Sequence, residues 1–232
     1  MRASDRAAAR AALLLAALFL AACGPDRREA AAALAAQRGQ PAFPAVPARA
    51  ETLVPDNPTV DADDPVLWAD PADPSRALLT GTDKSRGLYV HASDGRLLQF
   101  FPVGPLNNVD LRGGVSIGGR PQILVVSAER ARFGIHLFVL DPTTLRLRDA
   151  GFLATPPAFG EPHGFCMGQW GGQTYLIPSN KEGEILAFRV TDTPAGSAMM
   201  LAHRWKFGSQ TEGCVVDDAT GTLMVGEEDV RV

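Results

Sequence analysis

A short-strand pattern recurs four times along this 232-residue chain, about 48 residues apart, and each copy places a charged residue at the same point. Each copy is a turn, a short strand, a glycine or aspartate turn, a second strand, and a charged corner before a third strand. The corners are Lys84 in ALLTGTDK, Arg130 in ILVVSAER, Lys181 in YLIPSNK and Glu228 in LMVGEE, spaced by 46, 51 and 47 residues. A second series, Asp64, Asp110, His163 and Glu212, runs ahead of it at spacings of 46, 53 and 49. Repeats of roughly 40–50 residues built from several short strands signal a β-propeller. Equivalent positions on successive blades sit on one face around a central channel. Both series are therefore expected to converge on one mouth lined by cations and carboxylates together. Such a mixture suits a polyanionic ligand held partly by metal ions.

The strands support an all-β reading. GLYVH at 87–91 alternates, Asp94-Gly95 marks a hairpin turn, and Gly118-Gly119 and Gly171-Gly172 punctuate the second and third repeats. No long amphipathic helix is expected after residue 60. Glycine (23) and proline (18) are plentiful, as turn-rich β-proteins require. The net charge of −4 gives no basic excess, so nucleic acid is not an expected partner. His91 and His136 fall in alternating segments and read as structural. His203 reads as surface, and Trp68, Trp170 and Trp205 as packing residues. Cys166 and Cys214 follow glycines of two neighbouring repeats (HGFC and EGC) and are expected to be free and buried, although an oxidising compartment permits a disulfide.

Residues 1–22 read as a signal peptide: Arg2, Arg6 and Arg10 precede an apolar run from Ala11 to Ala22 that is too short to span a bilayer. The run ends in LAACG, which resembles a bacterial lipobox and implies lipidation of Cys23. Acyl chains contribute about 0.8 kcal/mol per buried methylene, so several together anchor firmly. Gly24 after the cysteine favours the outer membrane by the same resemblance. The expected location is the bacterial cell envelope, lipid-anchored at the outer membrane or periplasmic side, or secreted. Residues 23–58 form a disordered Ala/Pro-rich tether, because the PAFPAVPA run cannot enter a sheet interior. The folded domain is then 59–232. With about four blades and the last ending just after its corner, the chain is expected to be the N-terminal part of a larger propeller.

DADDPVLW (61–68), GTDKSRGL (81–88), LNNVDLR (106–112), SQTEG (209–213) and EEDV (227–230) together resemble the β-propeller phytases. These are calcium-dependent 3-phytase-type enzymes that remove phosphate from phytate, myo-inositol hexakisphosphate. The resemblance spans residues 59–232 and implies a six-bladed fold. It implies that Lys84, Arg130 and Lys181 bind substrate phosphates. Glu212 and Glu228 take the place of catalytic, metal-binding acids, and Asp64 holds a structural calcium with backbone oxygens around Pro65 and Val109. Where the family has a tyrosine that contacts phosphate, this chain has His163, which can also donate to phosphate and whose charge depends on pH.

These residue types suit that chemistry. Phosphate monoesters resist hydrolysis because their charge repels a nucleophile, and divalent ions offset it. Calcium takes six to eight oxygen ligands, which carboxylates and carbonyls from several blades can supply without an EF-hand. The expected reaction is direct attack by metal-activated water; no serine or cysteine nucleophile motif is visible. The expected cofactor is several calcium ions, the expected partner phytate or calcium phytate, and the expected state a monomer that meets membrane only through its anchor. The alternatives are a non-catalytic calcium-binding propeller lipoprotein that binds polyanions, and a propeller lactonase. A neutral lactone, however, needs no phosphate clamp.

Overall fold

A computed structural model of the protein describes residues 47–52, 54, 59–193 and 196–230. The expected signal segment, Cys23 and most of the tether lie outside the described residues. The described strands all belong to the unit Ala48–Val232.

Consecutive strands pair as antiparallel meanders in four separate sheets. The first contains β1 (Ala62–Ala69), β2 (Ala77–Asp83), β3 (Gly87–Ala92) and β4 (Leu97–Phe101), in that order. The second contains β5 (Leu106–Ile117), β6 (Arg120–Glu129), β7 (Gly134–Asp141) and β8 (Arg146–Ala154). The third contains β9 (Pro162–Trp170), β10 (Gln173–Asn180), β11 (Glu184–Thr193) and β12 (Gly196–Lys206). The fourth pairs β13 (Thr211–Asp217) with β14 (Thr222–Glu227). A single 3-10 turn, Pro157–Phe159, links the second sheet to the third, and no α-helix occurs among the described residues. The first strands of successive sheets pack side by side, β1 on β5, β5 on β9 and β9 on β13. That is the arrangement of propeller blades around an axis.

The core lies between blades, and the period-2 alternation of each strand assigns side chains to one gap or the other. On β6, Leu124 and Val126 face the third sheet and meet Phe165, Met167 and Leu176, whereas Val125 faces the first sheet with Leu88 and Val90. On β7, Ile135 and Leu137 face the third sheet while Phe138 and Leu140 face the first. Middle strands are thus buried on both faces, which is why they read as continuous apolar runs such as ILVV rather than as alternating ones. Each fully buried leucine or phenylalanine contributes about 1.5–3 kcal/mol. The hairpins of β5–β6 and β9–β10 turn on Gly118-Gly119 (φ 63° and 71°) and Gly171-Gly172 (φ 57° and 71°), the doubly left-handed turn that only such residues make cheaply.

One correction concerns the cysteines. Cys166 on β9 and Cys214 on β13 form a disulfide, with Cα atoms 5.7 Å apart. Register explains it: Cys166 lies opposite Ile177 and Cys214 opposite Val225, two residues from the end of its partner strand. Phe165, not Cys166, holds the place in the third sheet that Cys214 holds in the fourth. Strictly equivalent residues point the same way around the ring and cannot meet. The one-residue offset turns Cys166 toward the fourth sheet while Cys214 faces back toward the third.

Each first strand carries a bulge at the same height. The register shifts between Ala62 and Pro65, Leu106 and Val109, Pro178 and Asn180 (opposite Phe165 and Pro162), and Thr211 and Cys214. A bulge sets two residues against one and re-aims a side chain. The re-aimed pairs are Asp63-Asp64, Asn107-Asn108, His163-Gly164 and Glu212-Gly213.

Candidate functional site

The charged corners stand where the repeat placed them. Lys84, Arg130, Lys181 and Glu228 each directly follow the second strand of their sheet, after Asp83, Glu129, Asn180 and Glu227. Three of the backbones are pinned alike: Lys84 N–H donates to the Asp61 carbonyl, Arg130 N–H to Pro105 and Glu228 N–H to Gln210. The corner and the bulge therefore share one end of each blade.

The second series needs a correction. In register the four equivalent bulge residues are Asp63, Asn107, His163 and Glu212, so two members of the expected series hold. Asp64 is the neighbour of the true member, and Asp110 lies three residues beyond Asn107. The Asp110 carboxylate is turned between blades, where it accepts the Met167 N–H at 2.8 Å and pairs with Arg112 at 2.9 Å. The bulges, each of which adds one residue to a first strand, could not be counted from spacing alone.

The mouth is a chain of paired charges. Lys84 Nζ lies 2.7 Å from Asp63 Oδ1. That hydrogen bond holds the Lys84 pKa above its ordinary value against the opposing effect of desolvation, and the charges of Asp63, Glu212 and Asp61 add to it. The effect of Glu212 is informative, because Lys84 belongs to the first sheet and Glu212 to the fourth. His163 Nε2 lies 3.7 Å from Glu212 Oε1 and 3.6 Å from Glu228 Oε1. Gln210 Nε2 donates to Glu228 Oε1 at 2.6 Å and to His163 Nε2 at 2.9 Å. Arg130 Nε pairs with Glu161 Oε1 at 2.7 Å, and Lys181 Nζ reaches the same oxygen at 3.9 Å. A cleft of about 480 Å³ opens beside Glu161, Lys181 and Lys206.

Sequence reasoning missed Asp63, Glu161, Gln210 and Asn107. Each neighbours a residue it did select, in EPHG, SQTEG, LNNV and DADDP. Adjacency to a recurring position was the available signal, but the bulge that aims these side chains inward was not legible.

A cation fits this end of the molecule. Asp63 Oδ2, Asn107 Oδ1 and His163 Nδ1 are buried without a hydrogen-bond partner, and the first two are oxygens at equivalent bulge positions. An orphaned buried acceptor costs about 1–3 kcal/mol unless something pairs it. Asp64, Pro65 and Val109 also come together. Asp64 Oδ2 accepts the Val109 N–H at 2.9 Å, and burial pushes its carboxyl pKa upward despite that bond. A bound cation would reverse that upward push. Asp63, Asp64 and Asn107 offer oxygens, the donor type that calcium takes. The His163, Glu212 and Glu228 ligand atoms lie within 4.8 Å of one another.

Two comparisons bear on this arrangement. The family model for phytase matches residues 8–232. The 3-phytase of Bacillus subtilis (strain 168) is 31% identical over 178 residues, covering 74% of this chain and 47% of that protein. The chain thus spans about half the length of this curated relative. With four antiparallel blades whose charged corners meet at one end, and a family match over nearly all its residues, the chain belongs to the phytase family.

Proposed function

We propose that the protein removes phosphate from phytate in a calcium-dependent hydrolysis. The observation that carries the reading is the convergence of Lys84, Arg130 and Lys181 with Glu212 and Glu228 from four separate sheets onto one rim. Bound calcium would neutralise the phosphate oxygens, orient the ester and make an attacking water more acidic. Glu212 and Glu228 would hold the ion beside the scissile phosphate. Asp64, with backbone oxygens around Pro65 and Val109, would hold a structural one.

Lys84, Arg130 and Lys181 grip neighbouring phosphates of the same ring. Arginine can do so with two parallel N–H donors, and lysine acts as a point charge. Asp63 and Glu161 keep these cations extended over the mouth until substrate phosphates exchange for them. Water adds to phosphorus as the inositol oxygen leaves with a proton, releasing inorganic phosphate and the lower inositol phosphate. A lipid anchor at Cys23, outside the described residues, would hold the protein at the cell envelope, where phosphate scavenging is useful.

The test is phosphate release from calcium phytate, with and without chelator, for the unaltered protein and for Glu212→Gln and Glu228→Gln. Release that needs calcium and disappears in both variants supports the reading. Calcium-dependent thermal stabilisation without release would instead leave a non-catalytic calcium-binding propeller.

A further inference from the structure

We propose that Glu161 is a built-in competitor for phosphate: its carboxylate occupies the anion place between Arg130 and Lys181 and keeps a single phosphate, the released product included, from settling there. The inference rests on the reading of those two corners as phosphate-binding cations. Glu161 Oε1 lies 2.7 Å from Arg130 Nε, on the corner of the second sheet, and 3.9 Å from Lys181 Nζ, on the corner of the third. One oxygen thus faces two cations from neighbouring blades, as a phosphate oxygen would. By holding Arg130 Nε it takes one edge of the guanidinium fork, which otherwise grips phosphate with two parallel N–H donors. Unlike Asp63, Glu161 stands outside the groups that suit a bound cation, so restraint of these two corners is its own contribution.

The local fold fixes this carboxylate in place. The 3-10 turn Pro157–Phe159 buries Phe159, and the Asn180 side-chain amide donates to the Phe159 carbonyl at 2.7 Å. Gly160 turns the chain at φ 74°, and Pro162 then lies opposite Asn180 at the start of β9. Glu161 is therefore pinned on both sides, beside the Lys181 corner of its own blade and within reach of the Arg130 corner of the blade before. Exposed ion pairs are weak partly because long side chains must be ordered to make them. A pinned backbone lowers that cost for the acid. Every anion that needs this pair of cations must displace Glu161. A ligand with several phosphates has other corners, Lys84 among them, that hold it during the exchange at an effective concentration of about millimolar. A lone phosphate has none.

The test uses inorganic phosphate and no turnover, so it and the hydrolysis can fail separately. Phosphate is titrated by calorimetry into the calcium-loaded protein and its variants at one ionic strength. Glu161→Gln should tighten phosphate by about threefold to fivefold, the range of one partly exposed ion pair. Glu182→Gln removes an equal charge from an exposed residue of the same cleft and should change affinity far less. Adding Arg130→Gln to Glu161→Gln should cancel the gain. No tightening in Glu161→Gln, equal tightening in Glu182→Gln, or a gain that survives Arg130→Gln overturns the proposal. Should Glu161→Gln fail to fold, Glu161→Asp decides, because it keeps the charge and shortens the reach by one methylene: tighter phosphate supports the proposal, and unchanged affinity overturns it.

Discussion

Lys84 shows how one side chain is prepared for a polyanion. Its hydrogen bond to Asp63 and the nearby carboxylates raise its pKa, so it keeps its charge across the neutral range and beyond. A charge-assisted hydrogen bond to phosphate is worth about 1.5–3 kcal/mol. Lys84→Met should therefore raise KM for phytate by about tenfold or more, with a smaller change in kcat, as read by phosphate-release kinetics. Asp192 shows the opposite shift. The N–H groups of Gly119 and Gly118 and the Ser116 hydroxyl donate to its carboxylate at 2.6, 2.7 and 3.0 Å, and its pKa falls. An acid whose pKa drops on folding stabilises the fold above its unfolded value, near 3.8, and loses that contribution as pH falls through the folded value. Asp192→Asn should lower Tm at neutral pH and have little effect well below the ordinary carboxylate range, as thermal melts across pH would show.

Among elements, the contact of β9 with β13 matters most, because it sets the height of Glu212. Gly164 is the residue that permits it. A Cβ there would stand 2.0 Å from the Glu212 carbonyl oxygen and 2.5 Å from Ser179 Oγ. The first obstacle is backbone and cannot swing aside. Ser179 Oγ is already occupied, donating to the Thr211 carbonyl at 2.8 Å and accepting the Gly164 N–H at 3.2 Å. Gly164→Ala should cost about 1–3 kcal/mol by overpacking. It should also weaken divalent-cation binding by displacing Glu212. Denaturant melts and calorimetric metal titration check the two effects separately; loss of stability with unchanged metal affinity would mean that β13 shifts without moving the site.

For the whole molecule, the disulfide joins blades three and four directly beneath the site. It closes a loop of sequence separation 48. In the chain-entropy account, a loop of that size stabilises by about 4 kcal/mol. Reductant should lower Tm by several degrees and Cys166→Ser with Cys214→Ser should reproduce the loss, with both followed by calorimetric melts. Arg112 supplies a second inter-blade tie, reaching Asp110, Asp218 and the Met167 carbonyl, each at 2.9 Å. Further polar ties cross the gaps between blades, among them Asp192 to Gly118 and Gly119 and Gln99 to Leu147.

The sequence by itself determined the blades and their corners. A fixed repeat of strand-length apolar runs, punctuated by glycine turns, has no other economical way to bury its faces, and Lys84, Arg130, Lys181 and Glu228 could be placed by counting from it. The tertiary structure alone decided which side chains look inward. A bulge changes the count by one, and in a strand one residue reverses the face. That single step put Asp63 and Asn107 at the rim, turned Asp110 between blades, and brought Cys166 and Cys214 together. Pairings such as Glu161 with both Arg130 and Lys181 depend on how neighbouring blades approach, which no local pattern records.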